Sequence, residues 1–233
     1  AYGTLLRTRR QLIHGRIAAA LLAREAEYPP EVVAHHLSEA GEAERSVGYW
    51  AKAGHRAVSR AASREAAAHF ERAIAQLMTM PDTIARKRHE ATLQDSLGGA
   101  LAHIAGVDSE ALVQVYFRAC DLCRQTGDAK AQFIAEWNLW HIHIARYEHG
   151  RAQALSERLM AMAKGENDPE MLLQALHVEW SMLGTRGQHA ATRDSCDRGW
   201  ALYDPKRHGV HHLTYGAHDP GAGEGRQGAA ERI

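Results

Sequence analysis

Apolar side chains recur at three- and four-residue spacing along almost the whole chain, and short alternating runs of Val, Ile and Thr are missing. That is the period of amphipathic helices, not of strands. Breakers fall at Pro29-Pro30, Gly41, Ala62-Ser63, Pro81-Asp82, Gly106 to Ser109, Gly127-Asp128, Tyr147 to Gly150, Asp168-Pro169, Arg186-Gly187 and Asp204-Pro205. They lie about 15 to 25 residues apart, which suits helices joined as antiparallel pairs. Asp168-Pro169-Glu170 predicts a helix start by its local chemistry. Asp accepts from exposed amides, Pro tolerates the first helical position, and Glu favours the positive end of the helix dipole. From Gly209 onward the apolar period stops and a Gly-rich, charged stretch follows, so a loose tail is expected there.

Lining up matching positions near the start of each second helix reveals a repeat. Ala66, Leu112, Ala152 and Thr192 are separated by 46, 40 and 40 residues, a spacing of the kind shown by solenoids. In the first unit Trp50, Ala53, Gly54, Ala57, Ala66, Phe70 and Ala73 follow W-x2-L-G-x2-Y-x8-A-x3-F-x2-A, a pattern that resembles the tetratricopeptide repeat. Gly54 and Ala66 would let two helices approach, with Trp50 and Phe70 filling the space on either side. Later units are degenerate: Leu97-Gly98 with Tyr116 and Ala119, then Leu139 with Ala152, then Leu183 with Gly187 and Gly199. The expected fold is all-α, a right-handed superhelical solenoid of antiparallel, tetratricopeptide-like helix pairs. Residues 1–42 are expected to form a helical junction, 43–205 about four helix pairs, and 206–233 an irregular tail.

Charge and composition remove several partner classes. Lys+Arg 28 balances Asp+Glu 28, so the basic footprint of a nucleic-acid or membrane-surface binder is lacking. No apolar run approaches the roughly 18–20 residues needed to span a bilayer, and Ala1 to Arg10 is too basic and polar for a signal peptide. Three cysteines do not make a disulfide framework. A cytoplasmic protein is expected, and Ala1 in place of an initiator Met suggests a fragment of a longer chain.

A wider resemblance covers about residues 1 to 221. Ala1-Tyr2-Gly3-Thr4-Leu5-Leu6-Arg7-Thr8-Arg9-Arg10 with His14 and Arg16-Ile17, then Pro30-Glu31, Ala34-His35-His36, Glu39-Ala40-Gly41 and Tyr49-Trp50, follow one another in family-like order. Leu77 with Pro81-Asp82-Thr83, Leu122-Cys123, Ala201-Leu202-Tyr203-Asp204-Pro205, Tyr215-Gly216 and Asp219-Pro220-Gly221 continue the series. The chain is similar to the repeat region of bacterial multidomain ATPases of the adenylate/guanylate cyclase type. The resemblance implies a junction and first repeats that follow an ATPase module in the same polypeptide and couple a bound signal to it. After Gly221 the sequence departs from the family, where apolar helix would return. No phosphate loop G-x-x-x-x-G-K-[ST] and no cyclase carboxylate motif is found, so the family's enzymatic roles fall on no residue here.

The motifs that resemble chemistry read more simply as structure. Cys120-Asp121-Leu122-Cys123 has redox or half-zinc spacing but no second pair, and is expected to pack as small apolar groups. Gly223-x-Gly225-x-x-Gly228 lacks the strand and helix that a dinucleotide fingerprint requires. His89-Glu90 fails the zinc-protease pattern because Leu93 stands at the second histidine position, and His141 and His143 point about 200° apart on a helix. His208, His211, His212, His218 and Asp219 offer ligands only from a flexible stretch. Glu39, Glu42 and Glu44 read as a solvated face, and Arg7, Arg9 and Arg10 as another that is a possible contact for the ATPase module. No catalytic residue, metal site or cofactor is expected. A concave groove for a protein or peptide is the expected site. Positions that meet ligands in tetratricopeptide proteins fall on His55, Trp137, His141, His177 and Ser181, with Asn138 adjacent. Two alternatives stay open: a nucleotide-binding regulator or cyclase in the parent chain, and the repeat region of an ATPase-type transcriptional activator.

Overall fold

Helices end where the local chemistry of the breakers stops them. The structure is a computed structural model describing residues 7–106 and 109–208, without the side chain of Arg207. The helices α1 (Arg7–Leu22), α2 (Pro30–Ala40), α3 (Ala43–Ser59), α4 (Ser63–Leu77), α5 (Ile84–Ala105) and α6 (Glu110–Thr126) form one compact unit. A second unit, beginning at Asp128, holds α7 (Ala129–Ala145), α8 (His149–Glu166), α9 (Pro169–Thr185), α10 (His189–Leu202) and the short α11 (Pro205–His208). The division falls inside the stretch 43–205. Among the described residues there is no strand, and no helix is long and apolar enough to cross a membrane.

Gly41 closes α2 in the left-handed region at φ 83°, its N–H donating back to Leu37 and Ser38 carbonyls, as a glycine does at a helix C-terminus. Asp168 opens α9 as its sequence predicts, its carboxylate accepting from the amides of Glu170 at 2.8 Å and Met171 at 3.3 Å. Asp128 and Thr83 cap α7 and α5 in the same way.

In each unit a helix packs against its chain neighbours, α1 through α6 in the first and α7 through α10 in the second. The first unit buries Ala34, Val47, Trp50, Ala57, Ala66, Phe70, Leu77 and Leu97 in one apolar cluster. Gly54 lies so close to Phe70 that an added Cβ would stand 2.5 Å from the ring. Gly98 receives the Tyr116 ring equally tightly, and in the second unit Gly199 receives Trp180. At Gly54 the repeat spacing therefore marks a real close approach, made by the glycine against the Phe70 ring, whereas at Gly199 the glycine stands on the later helix and the ring on the earlier. Cys120 and Cys123 are buried in α6, packed among apolar side chains as expected.

A second periodic feature is visible in the sequence but acquires meaning only from packing. Arg72, Arg118, Arg158 and Arg198 repeat at 46, 40 and 40 residues, each on the later helix of a pair and reaching to the earlier one. Arg72 lies over the Trp50 ring at 4.9 Å. Arg118 donates to Glu90 at 2.8 Å, Arg158 pairs with Glu136, and Arg198 pairs with Glu179 at 3.3 Å. Glu90 and Glu136 are almost fully buried, whereas Glu179 keeps 32% of its side chain exposed and Arg198 47%. Exposed pairs contribute little, so Arg198→Met is expected to cost less than about 1 kcal/mol in a thermal melt. A larger loss would show that the pair is screened from water.

Candidate functional site

Ring contacts join three of the six groove residues, Trp137, His141 and His177, in the second unit. Trp137, Trp140 and His141 stand three and four residues apart on α7, and His177, Trp180 and Ser181 do the same on α9, which places each set on one helix face. The Trp137 and His141 rings stack at 5.8 Å and 16°. Trp137 also meets His177 at 6.0 Å, Trp140 meets His177 edge-on at 5.9 Å, and His177 meets Trp180 at 5.2 Å. Such separations lie within the range of favourable aromatic pairs.

Trp137 is 1% exposed and Trp140 3%, so they form the floor. His141, His177, Trp180 and Ser181 are partly exposed above them, and Asn138, also partly exposed, stands about 100° round α7 from Trp137. The Ser181 hydroxyl donates to the His177 carbonyl at 2.8 Å, a backbone bond within its own helix. Gly199 on α10 leaves room for the Trp180 ring and so fixes where that indole sits. His55 belongs to the first unit, where it is exposed on α3 and packs edge-on against Phe70 at 5.1 Å. Trp140 and Trp180 are absent from the groove positions that the tetratricopeptide pattern designates, although their i+3 spacing from Trp137 and His177 is plain in the sequence.

The chemistry of this face is aromatic and polar together. Indole and imidazole rings offer flat apolar area with N–H groups at their edges, and the Asn138 amide offers donor and acceptor atoms on the flank of α7. His143, two residues beyond His141, turns away into the protein, 2% exposed, with Nδ1 2.7 Å from Glu148 Oε2.

The first unit carries a separate cavity of about 460 Å³ lined by Glu31, Val32, His35, Trp50, His69 and Arg72. Trp50 donates its indole N–H to Ser38 Oγ at 2.9 Å, and its ring stacks on His69 at 5.5 Å. His69 is 6% exposed and neither ring nitrogen makes a hydrogen bond, while Glu65 lies 3.7 Å away. From sequence Trp50 reads only as a packing residue, because nothing local shows that His69 and Arg72 flank it.

Residues in motifs that only resemble chemical sites have structural partners. Glu90 accepts from Arg118. His208 is buried, its Nδ1 accepting from the Asp204 amide at 2.8 Å and its Nε2 3.3 Å from Glu170. His211, His212, His218, Asp219 and the glycines at 223, 225 and 228 lie outside the described residues.

No family model matches the chain. An uncharacterised protein of Rhizobium meliloti (strain 1021) is 28% identical over 224 residues, covering 94% of this chain, and this chain spans only 21% of that relative's length. Among solved structures, the crystal structure of BtubC (BKLC) from P. vanneervenii superposes with a TM-score of 0.60 at 14% identity, covering 85% of this chain and 91% of that one. At that identity the likeness is one of fold: an all-α, helical-repeat architecture.

Proposed function

We propose that this chain is a non-catalytic helical repeat scaffold that captures a protein or peptide and couples the event to a module elsewhere in a longer cytoplasmic signalling protein. The observation that carries this reading is the stacked tryptophan and histidine face on α7 and α9, with buried Trp137 and Trp140 as a floor under partly exposed His141, His177 and Trp180. Buried aromatic anchors beneath polar edges are what recognition surfaces use to bind with little loss of side-chain freedom. The tetratricopeptide spacing supports a right-handed superhelix of antiparallel pairs, with this face on its concave side. The family resemblance of residues 1 to 221 supports an ATPase module of the adenylate/guanylate cyclase type as the coupled partner, and the relative's much greater length accords with a segment of a larger protein.

The ring and amide edges supply hydrogen-bond donors, so peptides rich in carboxylates are the expected ligands. Selection from a displayed peptide library against the wild-type chain tests this, with a His141→Ala, His177→Ala double variant of unchanged helicity as the comparison. Selected peptides should be acidic and should bind the double variant roughly tenfold or more weakly, the effect of losing about 1.4 kcal/mol. Peptides that bind both proteins equally would remove the face from the function.

A further inference from the structure

Outside the tryptophan face, α1 and α2 bring three imidazoles to one point. His14 comes from α1, and the neighbouring His35 and His36 from α2. One ring nitrogen from each lies within 4.8 Å of the others, and His14 Nδ1 is 2.8 Å from His36 Nδ1. The ring centroids are 4.9 Å apart for His14 and His36, 5.7 Å for His14 and His35, and 5.2 Å for His35 and His36. We propose that His14, His35 and His36 form a binding site for a divalent transition-metal ion of the zinc type, which fastens α1 to α2.

The distances require little rearrangement. Zinc binds imidazole nitrogen at about 2.0–2.1 Å, so tetrahedral ligands stand about 3.4 Å from one another. His14 and His36 need to part by about half an ångström, and the third nitrogen to move inward by an ångström or so, within the reach of small side-chain rotations. An all-imidazole set suits zinc, copper and nickel, and is poorly suited to magnesium or calcium, which prefer oxygen. Burial, then the neighbouring His14 and His35, lower the proton affinity of His36 and so favour the neutral ring that a metal needs, while Glu39 acts in the opposite sense. His14 is 6% exposed and held by packing, while His35 is exposed and gives the ion a path in.

The location also explains what an ion would do. In α1 His14 and Ala18 are buried, Leu21 and Leu22 are partly buried against the cluster of Ala18, Val33 and Leu37, and Leu12, Ile13 and Ile17 remain exposed, so the apolar packing is concentrated toward the end of the helix beyond His14. An ion bridging His14 to His35 and His36 adds a cross-helix bond, and binding free energy becomes docking free energy.

Titration of the tag-free 233-residue chain with zinc chloride, read by calorimetry and thermal melting, tests the proposal against His14→Gln, His36→Gln, His35→Gln and the triple variant. An exposed histidine elsewhere, His189→Gln, is the control. The wild type and the control should bind one equivalent at these histidines with a rise in melting temperature. Each single variant should weaken that binding roughly tenfold or more, and the triple variant should lose it. Cobalt should give the intense visible bands of a four-coordinate ion in the wild type only. Far-UV circular dichroism without metal separates lost ligation from lost folding, and if His14→Gln does not fold, the His35→Gln, His36→Gln pair decides. Equal zinc affinity and stoichiometry in a folded triple variant, or no saturable binding by the wild type, overturns the site.

Discussion

Gly54→Leu should lower the stability of the first unit by about 1–3 kcal/mol or more, a fall of roughly 3–10 °C in the melting temperature. The cause is the distance between α3 and the Phe70 ring. A Cβ at position 54 would lie 2.5, 2.7 and 2.8 Å from three ring carbons, closer than nonbonded carbons approach, and Phe70 is fully buried with no free space to retreat into. Leucine adds three more carbons to that clash. Relief requires α3 and α4 to separate, which uncovers Trp50, Ala57 and Ala66 of the same cluster. Combining Gly54→Leu with Phe70→Ala makes the argument specific: removal of the ring should recover part of the loss, so the two changes together should cost less than their sum. Additive costs, or an unchanged melt for Gly54→Leu, would show that the glycine is not a packing requirement.

Asp95→Asn should stabilise the protein at neutral pH and not at acid pH. Partial burial pushes the Asp95 carboxyl up to about 6, against an ordinary value of 3.8, because the charged form loses part of its hydration there. Its charge also raises the Tyr116 phenol, which burial has already pushed upward. A carboxyl with a raised value binds its proton more tightly folded than unfolded, so wild-type stability falls as pH rises from about 3.8 to 6, and the full penalty stands above 6. The interval corresponds to about 3 kcal/mol as an order of magnitude. The neutral amide carries no such penalty. The difference in unfolding free energy between variant and wild type should therefore grow from near zero at pH 4 toward that size at pH 7, measured by urea denaturation across the series. A difference independent of pH would mean that Asp95 reaches water in the fold.

Both predictions depend on residues whose roles were unequally legible. Gly54 announces itself, since its spacing from Trp50, Ala66 and Phe70 matches a pattern whose physical basis is helix approach. Asp95 does not: it sits in the polar-looking stretch Gln94-Asp95-Ser96, and only the rotation of α5 against its neighbours leaves it half-buried and partly stripped of its hydration. The candidate site divides similarly. His141 and His177 are reached by counting along the repeat, whereas the burial of Trp137 beneath them and the participation of Trp140 and Trp180 come from how α7, α9 and α10 pack.

The sequence by itself determined the helices and their ends. Caps such as Asp168 and the left-handed Gly41 satisfy backbone groups a few residues away, so the information needed is contained in a short window. It also determined the period, because glycine and alanine must recur wherever two helices come close. Tertiary structure alone decided what each periodic side chain meets. The arginines at 72, 118, 158 and 198 are evenly placed in the chain, yet one lies on an indole and three reach glutamates on the preceding helix. His14 stands 22 residues from His36, and no local pattern connects them until α1 lies against α2. Such meetings depend on the rotation of one helix about its axis relative to another, which is set by the sum of many small packing contacts and is written in no single segment.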